Sequence, residues 1–570
     1  MPLDFLNKLG IRPPPINVRT LQGIGKDLGF FNSNAQHKNQ NYNALKTACL
    51  QSGTLFEDEQ FACHPRSLFY SNNHGVPINS VQWLRPKDIN RNACLVRSGG
   101  TSTDGREGQL GRDVSQGQVG NCWFVAACAV LAEFPKLWKH VIPDFKEQEL
   151  NEFMGASGRY GGIFHFKFWV FGEWIDVVID DRLPTVNGQL IFCRSKAGDE
   201  FWSPLLEKAY AKLHGCYEAL DGGNLTDALV DFTGGAAESI ELKDHQNVEL
   251  QDNLFRLLER DLQFNSLMCA AIDIDSRDEM EAVQQNGLVK GHAYGVTNLK
   301  TILNNEVPGL LSFLGAGNRS AVRLIRLRNP WGRKEWNGRF SDGSPEWNQI
   351  SQQKRKELGL IFEDDGEFWM AFDDFCKHFT SVSLCRIIYN SLIGSLLSGG
   401  AKNWSEGVFK GEWKQADKCG GCINNLGTFF NNPQYRFDVA NDDEPVMISL
   451  SQPDNRHMRS SGGGNYLTIG FYVMRIEINR KTRVRMLKAK AGCSAYGATR
   501  TRTLHMTLKP GRYCVIPTTF EPGQEGQFLL RVLTSYDCHP GYACVELNTR
   551  IVVVGHCLVE RWRWISPNRS

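Results

Sequence analysis

The amino-acid sequence predicts an α+β protein that ends in an antiparallel β-sandwich. Residues 122–134 are apolar on every side, which is typical of a helix buried in a core. Residues 163–180 alternate in polarity and predict a β-hairpin. Between residues 400 and 536, turn residues separate short strand-like runs, the pattern of a β-sandwich, at 446–450, 467–478, 513–516 and 528–533.

Length and composition place the chain among ordinary globular proteins. It has 570 residues, of which 41% are hydrophobic and 22% charged, and its formal net charge is +2. This balance excludes a disordered chain and a nucleic-acid binder that is basic as a whole. The sequence shows no secretory signal and no apolar run of transmembrane length. We therefore expect a cytoplasmic protein whose 17 cysteines are reduced.

A cysteine at a predicted helix start is the strongest sign of catalysis. Residues 116–124 read Gln-Gly-Gln-Val-Gly-Asn-Cys-Trp-Phe, so glycines precede Cys122 and a buried helix follows it. The N–H groups of a helix N-terminus favour the thiolate, which makes Cys122 the candidate nucleophile. The same N–H groups and the Gln116 amide are candidate donors to an oxyanion. The alternative is that Cys122 is one core cysteine among many.

A thiolate nucleophile requires a base and a group that orients the base. His292 lies between small residues in Lys-Gly-His-Ala-Tyr, where another surface can approach closely. Asn329 follows the predicted strand 322–327 in Arg-Asn-Pro-Trp-Gly, and its amide can hold an imidazole in one tautomer. A core histidine and a simple Asn-Pro turn are the alternatives. Taken together, the order Cys–His–Asn is that of a papain-type triad.

At these residues the chain resembles the calpains, the calcium-dependent cytosolic cysteine proteases. The likeness runs from about residue 41 to 536 and rests on residues 116–124, 200–202, 206–212, 232–235, 291–294, 328–332 and 365–369. It implies a papain-like core of two subdomains followed by the calpain β-sandwich. It also implies that Cys122 is the nucleophile, His292 the base, Asn329 the orienting group and Gln116 the oxyanion amide.

The resemblance, with the composition along the chain, implies five parts. The parts are a mobile N-terminal extension (1–40), a subdomain carrying the nucleophile (41–225), a subdomain carrying His292 and Asn329 (226–395), the sandwich (400–536) and a short tail (537–570). A strand-like run at 550–554 suggests that the tail begins a further, truncated domain.

Carboxylates gather soon after Asn329, and hard oxygen ligands of this kind suit calcium. A solvated acidic face is the alternative that composition alone favours. The calpain resemblance implies one calcium site at the carboxylates of Glu335, Asp342, Asp365 and Glu367 with the backbone carbonyl of Glu363. It implies a second site at Asp113 and Glu200, with carbonyls near Arg106 and Gly108. Calcium would then draw the two subdomains together and bring Cys122 within reach of His292 and Asn329.

The predicted sandwich carries a basic run that suggests a partner. The run consists of Arg480, Lys481, Arg483, Arg485, Lys488 and Lys490. It favours contact with anionic phospholipid or an acidic partner, and a solvated hairpin is the alternative. No EF-hand loop follows the sandwich, and the wording around Cys122 resembles the atypical calpains, which lack EF-hands. We therefore expect protein substrates and no small EF-hand subunit.

The sequence thus predicts a calcium-activated intracellular cysteine endopeptidase that makes limited cuts in proteins through a thioester intermediate. One alternative is a transglutaminase, which also joins a Gly-x-Cys-Trp helix start to calcium and β-sandwiches. That enzyme would need an aspartate where this chain has Asn329. The other alternative is a catalytically silent calpain-like scaffold, against which the intact Cys122, His292 and Asn329 argue.

Overall fold

The computed structural model describes most of the chain between residues 35 and 546. The described residues are 35–72, 75–96, 114–150, 160–195, 198–264, 266–274, 276, 279, 282–303, 321–331, 334–359, 366–388, 404–415, 418–535 and 545–546. Within them, helices mix with mostly antiparallel sheets in the first two thirds, and antiparallel strands dominate the last third. The predicted α+β architecture is therefore confirmed.

The first unit builds its core around the helix that begins at Cys122. Its helices are α1 (Tyr42–Ser52), α2 (Pro65–Leu68), α3 (Pro86–Ile89), α4 (Cys122–Ala132), α5 (Pro135–Val141), α6 (Trp202–His214) and α7 (Leu225–Thr233). Its strands are β1 (Ala35–Gln36), β2 (Val81–Leu84), β3 (Val114–Ser115), β4 (Ile163–Val170), β5 (Glu173–Asp180), β6 (Leu183–Val186), β7 (Gln189–Leu190) and β8 (Arg194–Ser195).

The two strongest secondary-structure predictions for this unit are confirmed. Helix α4 is buried at every position after Cys122, because its sequence offers no polar face. Strands β4 and β5 pair in antiparallel register across a turn at Phe171 and Gly172, which both have positive φ. Aromatic rings of Phe124, Tyr210 and Phe232 pack together where α4, α6 and α7 meet.

In the part of the chain that the structure describes, the second unit contains a six-stranded antiparallel sheet and three α-helices. The elements are β9 (Ala236–Glu241), α8 (Val248–Gln263), β10 (Leu267–Ile272), β11 (His292–Leu303), β12 (Ala321–Arg328), α9 (Gln352–Leu358), β13 (Glu367–Ala371), α10 (Phe372–His378) and β14 (Ser381–Arg386). The strand order in the sheet is β13-β12-β11-β10-β14-β9. Helix α8 buries Leu254, Phe255 and Leu258 against α10 and the sheet.

The third unit is sandwich-like, as the sequence predicts. Its elements are β15 (Trp404–Trp413), α11 (Leu426–Phe429), β16 (Tyr435–Val439), β17 (Glu444–Ser451), β18 (Thr468–Ile476), β19 (Lys490–Cys493), β20 (Gly497–Ala498), β21 (Thr501–Leu508), β22 (Gly511–Thr519), β23 (Gly526–Ser535) and β24 (Val545–Glu546). One sheet has the order β15-β23-β17-β21, and the other has the order β19-β18-β22-β16-β24, with β20 beside β18. Both sheets contribute side chains to one apolar core.

Buried ion pairs hold the sandwich on the first unit. Arg456 and Arg500 of the sandwich pair with Asp227 of α7 at 3.0 and 3.1 Å, and all three side chains are buried. The Arg456 guanidinium also lies 4.6 Å from the ring centre of Trp123, which follows Cys122 in the chain. Because buried charges need partners, these contacts fix the sandwich beside helix α4.

Parts of the predicted extension and tail lie outside the described residues. These parts are residues 1–34, 537–544 and 547–570, including the strand-like run 550–554. Of the rest, residues 35–36 pair in parallel with β5, and residues 545–546 pair with β16. Among the helices that the structure describes, none is both long and apolar enough to cross a membrane.

Candidate active site

The loop 116–121 fixes the point at which helix α4 begins. On one side, the Gln118 N–H donates to the Ile191 carbonyl at 2.9 Å, and Gly117 lies so close to Phe192 that a Cβ would stand 2.3 Å from that backbone. On the other side, the Gly120 N–H donates to Asp221 Oδ1 at 3.1 Å. Only a glycine at 117 allows this approach, and the loop therefore delivers Cys122 at a defined place.

Cys122 lies directly beside the strand that carries His292. Its Sγ stands 3.7 Å from the carbonyl oxygen of Gly291, the residue before His292. Helix α4 and strand β11 pack so closely that a Cβ at Gly295 would stand 2.8 Å from a methyl group of Val130. The structure thus brings Cys122 beside the residue that precedes His292, although 169 positions separate Cys122 from Gly291 in the chain.

A hydrogen bond joins the imidazole of His292 to the Asn329 side chain. His292 Nε2 lies 2.9 Å from Asn329 Oδ1, while Asn329 Nδ2 donates to the Lys334 carbonyl at 2.9 Å. Because the Lys334 carbonyl can only accept, it fixes the amide nitrogen on its own side and the amide oxygen toward His292. Nε2 therefore carries the proton, and Nδ1 is left as the acceptor. His292 Nδ1 is buried and has no hydrogen-bond partner among the described residues.

Trp331 covers this hydrogen bond. Its ring centre stands 4.8 Å from that of His292, and its backbone N–H donates to Asn329 Oδ1 at 3.0 Å. Burial lowers the pKa of His292 to about 4, although the hydrogen bond to Asn329 opposes that shift. His292 is therefore neutral at physiological pH and able to accept a proton.

Gln116 stands at the start of the loop that leads to Cys122. Its Nε2 donates to the Val119 carbonyl at 3.0 Å, so its side chain packs within the loop. This contact orders the segment whose backbone opens helix α4 at Cys122.

The structure describes four of the predicted calcium-site residues. Glu335 accepts a hydrogen bond from the N–H of Gly366, the residue that precedes Glu367, at 2.9 Å. Glu367 accepts from Thr297 Oγ1 at 2.8 Å and lies 3.4 Å from Arg326 Nε. Asp342 lies in the turn before residues 345–349, and Glu200 is buried in a bridge with Cys94.

The remaining predicted ligands fall outside the described residues, namely Arg106, Gly108, Asp113, Glu363 and Asp365. In the described ranges, no group of three or more His, Cys, Asp or Glu side chains is arranged to hold a metal ion. What the structure does bring together is Glu335 and the start of β13, where Glu367 lies. Carboxylate oxygens at this place fit the ligand chemistry of calcium.

Comparison with known proteins decides the family. The profile of the calpain family cysteine proteases matches residues 56–386, and that of domain III of the calpain large subunit matches residues 409–533. The chain belongs to the calpain family. Calpain-5 of Mus musculus is 47% identical over 513 residues, covering 89% of this chain and 76% of that protein. Calpain-A of Drosophila melanogaster is 38% identical, covering 93% and 62%, and the Calpain-2 catalytic subunit of Homo sapiens is 37% identical, covering 89% and 69%.

In this calpain, the structure shows contacts at the site that cannot be read from the sequence. The carbonyls of Lys334 and Gly291 contact Asn329 and Cys122, and backbone groups leave no residue-type signal in a sequence. Glu207 lies within the calpain-like segment 206–212, yet its link to the residue before Cys122 depends on how α6 packs against α4. These links connect chain segments that only the fold brings together.

Proposed function

We propose that this calpain is a calcium-activated intracellular cysteine endopeptidase that makes limited cuts in proteins. Its papain-like core would use Cys122 as nucleophile, His292 as base and Asn329 as the orienting group. The observation that supports this role is the buried, neutral imidazole whose Nε2 contacts Asn329 beside Cys122. Release of peptide fragments from casein, lost when Cys122 is replaced, tests the proposal.

The arrangement supports a two-stage reaction. In the first stage, Cys122 Sγ attacks the peptide carbonyl carbon while its proton passes to His292 Nδ1. The N–H groups at the start of α4 and the Gln116 amide stabilise the oxyanion. The carbon–nitrogen bond then breaks, His292 returns the proton to the leaving amine, and a thioester remains. In the second stage, water attacks the thioester while His292 takes a proton from the water. The carbon–sulfur bond then breaks, the carboxylic acid product leaves, and His292 returns the proton to Cys122 Sγ.

Family membership supports a role for calcium, and Glu335, Asp342, Asp365 and Glu367 would hold one ion with the carbonyl of Glu363. Asp113 and Glu200, with carbonyls near Arg106 and Gly108, would hold a second. Calcium, when bound, supplies positive charge that offsets the repulsion among such carboxylates. The contact from Glu335 to the Gly366 N–H ties this carboxylate to the segment that carries the other ligands.

Replacing Glu335 by glutamine should raise the calcium concentration needed for half-maximal casein cleavage by at least about 10- to 100-fold, the typical cost of losing a residue that only supports a metal ligand. Calorimetric titration of calcium should show the same loss of affinity without reference to activity. Glu357→Gln, on the exposed face of α9, is the matched control and should change neither value. Equal cleavage with and without calcium would exclude calcium activation, and an unchanged affinity in Glu335→Gln would exclude this ligand.

The alternative functions predict different products. A transglutaminase would incorporate a primary amine into a glutamine-containing substrate without cutting the chain. The contact of His292 with an amide, rather than with a carboxylate, supports the protease. A silent scaffold would release no fragments under any calcium concentration.

The basic run on the sandwich supports a peripheral contact with anionic phospholipid. Three of its six basic residues are held by contacts within the sandwich. Arg480 and Lys488 pair with Glu477, and Arg483 donates to the carbonyls of Phe430 and Asn432. The other three, Lys481, Arg485 and Lys490, are exposed. Exposed apolar side chains stand in the same segment, with Ile478 at 70% and Met486 at 63% of full exposure. Exposed cations beside exposed apolar groups suit an anionic membrane surface.

Replacing Lys481, Arg485 and Lys490 together by glutamine should weaken binding to phosphatidylserine vesicles roughly 100-fold, at about 1 kcal/mol for each charge. Co-sedimentation with vesicles at low salt measures the effect. The control replaces three exposed basic residues of the second unit, Lys243, Arg256 and Lys377, and should leave binding unchanged. Equal loss in both triple variants would assign the effect to net charge instead of to this surface.

A further inference from the structure

Glu207 is a buried carboxylate next to the nucleophile that the proposed reaction does not use. It lies on helix α6, and its side chain is buried. One carboxylate oxygen accepts from Asn121 Nδ2 at 2.7 Å, and the other accepts from the Cys193 N–H at 2.8 Å. Among the described residues, Glu207 forms no ion pair within 4 Å. Burying a carboxyl group costs free energy, and the two hydrogen bonds of Glu207 indicate the role for which it is buried.

Asn121 immediately precedes Cys122 and is itself completely buried. It stands at the N-cap of α4, yet its side chain makes no capping hydrogen bond to that helix. The amide instead reaches Glu207, and its Oδ1 is buried without a hydrogen-bond partner in the described structure. An asparagine at a helix start ordinarily caps its own helix, so its use here to contact another helix is a departure from the common pattern.

The second contact of Glu207 completes a clamp on the loop before Cys122. The Cys193 N–H belongs to the segment 191–193, against which Gly117 and Gln118 of that loop pack. Glu207 therefore joins the last residue of the loop to the segment that supports the beginning of the loop. A shift of Asn121 would move Cys122 relative to Gly291 and His292, because Cys122 is the next residue in the chain.

We propose that Glu207 is a positioning residue for the Cys122 nucleophile, which it fixes by holding Asn121 against the 191–193 segment. The inference rests on the proposed function, in which Cys122 is the nucleophile. Glu207 touches neither substrate nor reacting atoms and acts only through Asn121.

The hydrogen-bonding groups suggest which substitution should preserve this role. Burial raises the pKa of Glu207 to about 7, so the neutral acid and the carboxylate both occur near physiological pH. When the side chain at 207 presents a donor, the Asn121 amide can turn over and offer Oδ1, which has no other hydrogen-bond partner in the described structure. A glutamine at position 207 can make both contacts: its side-chain oxygen accepts from the Cys193 N–H, and its side-chain nitrogen donates to Oδ1 of the turned Asn121 amide. Leucine keeps the volume and removes both contacts.

The test compares Glu207→Leu and Glu207→Gln in the full chain, in two backgrounds. With Asn121 present, Glu207→Leu should lower kcat for a peptide substrate about 10- to 100-fold, the equivalent of hydrogen bonds to a charged group, and leave KM unchanged. Glu207→Gln should retain kcat. In proteins that also carry Asn121→Ala, the variants with Glu, Gln or Leu at position 207 should all have the same lowered kcat. Glu149→Leu is the matched control, because Glu149 also accepts two N–H hydrogen bonds, in its case both from the backbone, of Leu95 and Leu150, and it should keep wild-type kcat.

The rate at which iodoacetamide alkylates Cys122, measured by mass spectrometry, should fall in parallel with kcat. A gap between the Gln and Leu forms that persists in Asn121→Ala would overturn the proposal, as would equal kcat for the two forms with Asn121 present. If Glu207→Leu does not fold, Asn121→Ala alone must show the loss of kcat and alkylation, and wild-type values would refute the inference. Absence of proteolysis in the wild type would reject the proposed function, whereas the alkylation rates would still test the position of Cys122.

Discussion

Replacing Cys122 by alanine is expected to lower kcat/KM for casein cleavage by about 10⁶-fold, the loss seen when a catalytic nucleophile is deleted. The physical reason is that the start of α4 places the Cys122 sulfur, the proposed nucleophile, beside Gly291, the residue before His292. Alanine keeps the helix start and fits the space that the thiol occupies, so the fold should be retained. Casein cleavage at saturating calcium, followed by gel electrophoresis, measures the result.

The matched control is Cys128→Ala, six residues further along the same helix. Cys128 is completely buried, and burial raises its thiol pKa well above the ordinary value, so it is no nucleophile. Its replacement should cost some stability and little activity per folded molecule. Activity in Cys122→Ala equal to that of the wild type would remove Cys122 from the mechanism and leave the calpain fold without its proposed nucleophile.

The sequence predicted the parts of this molecule whose cause is local. Helix α4 was predictable because eleven consecutive positions offer no polar face, and the β4–β5 hairpin because its residues alternate. The order of the strands in the sheet of the second unit was not predictable, because β10 pairs with both β11 and β14 through long connections. Strand order depends on which surfaces pack in three dimensions, and that information is spread over the whole chain.

The candidate site likewise has features that the sequence predicts and features that only the fold determines. Cys122, His292 and Asn329 each carry a residue-type signal, whereas the orientation of Asn329 depends on a carbonyl at Lys334. The basic run on the sandwich shows the limit of a charge count. Glu477 pairs with two of its six members, a contact that the spacing of the basic residues does not indicate. Which cations stay exposed is decided by tertiary contacts.

Replacing Asn329 by alanine should lower kcat by about 10³- to 10⁴-fold, as the loss of the orienting member of a triad does. Asn329 Oδ1 is the acceptor that keeps the proton on Nε2 of His292 and leaves Nδ1 to receive the thiol proton. Without it, the ring can rotate or adopt the other tautomer. Single-turnover cleavage of a peptide substrate measures the change directly, and a loss smaller than tenfold in a folded variant would contradict the role.

Asn329→Asp separates orientation from charge. The new carboxylate can still accept from His292 Nε2, but its second oxygen would face the Lys334 carbonyl, where Asn329 now donates. Its negative charge should raise the pKa of His292 from about 4, because an opposite charge favours the imidazolium. The acid limb of the pH–rate profile that reports His292 should then move to higher pH in Asn329→Asp and to lower pH in Asn329→Ala, which loses the hydrogen bond that raises this pKa. If both variants kept the wild-type limb, the protonation of His292 would not be governed by residue 329, and the hydrogen bond seen here would be structural only.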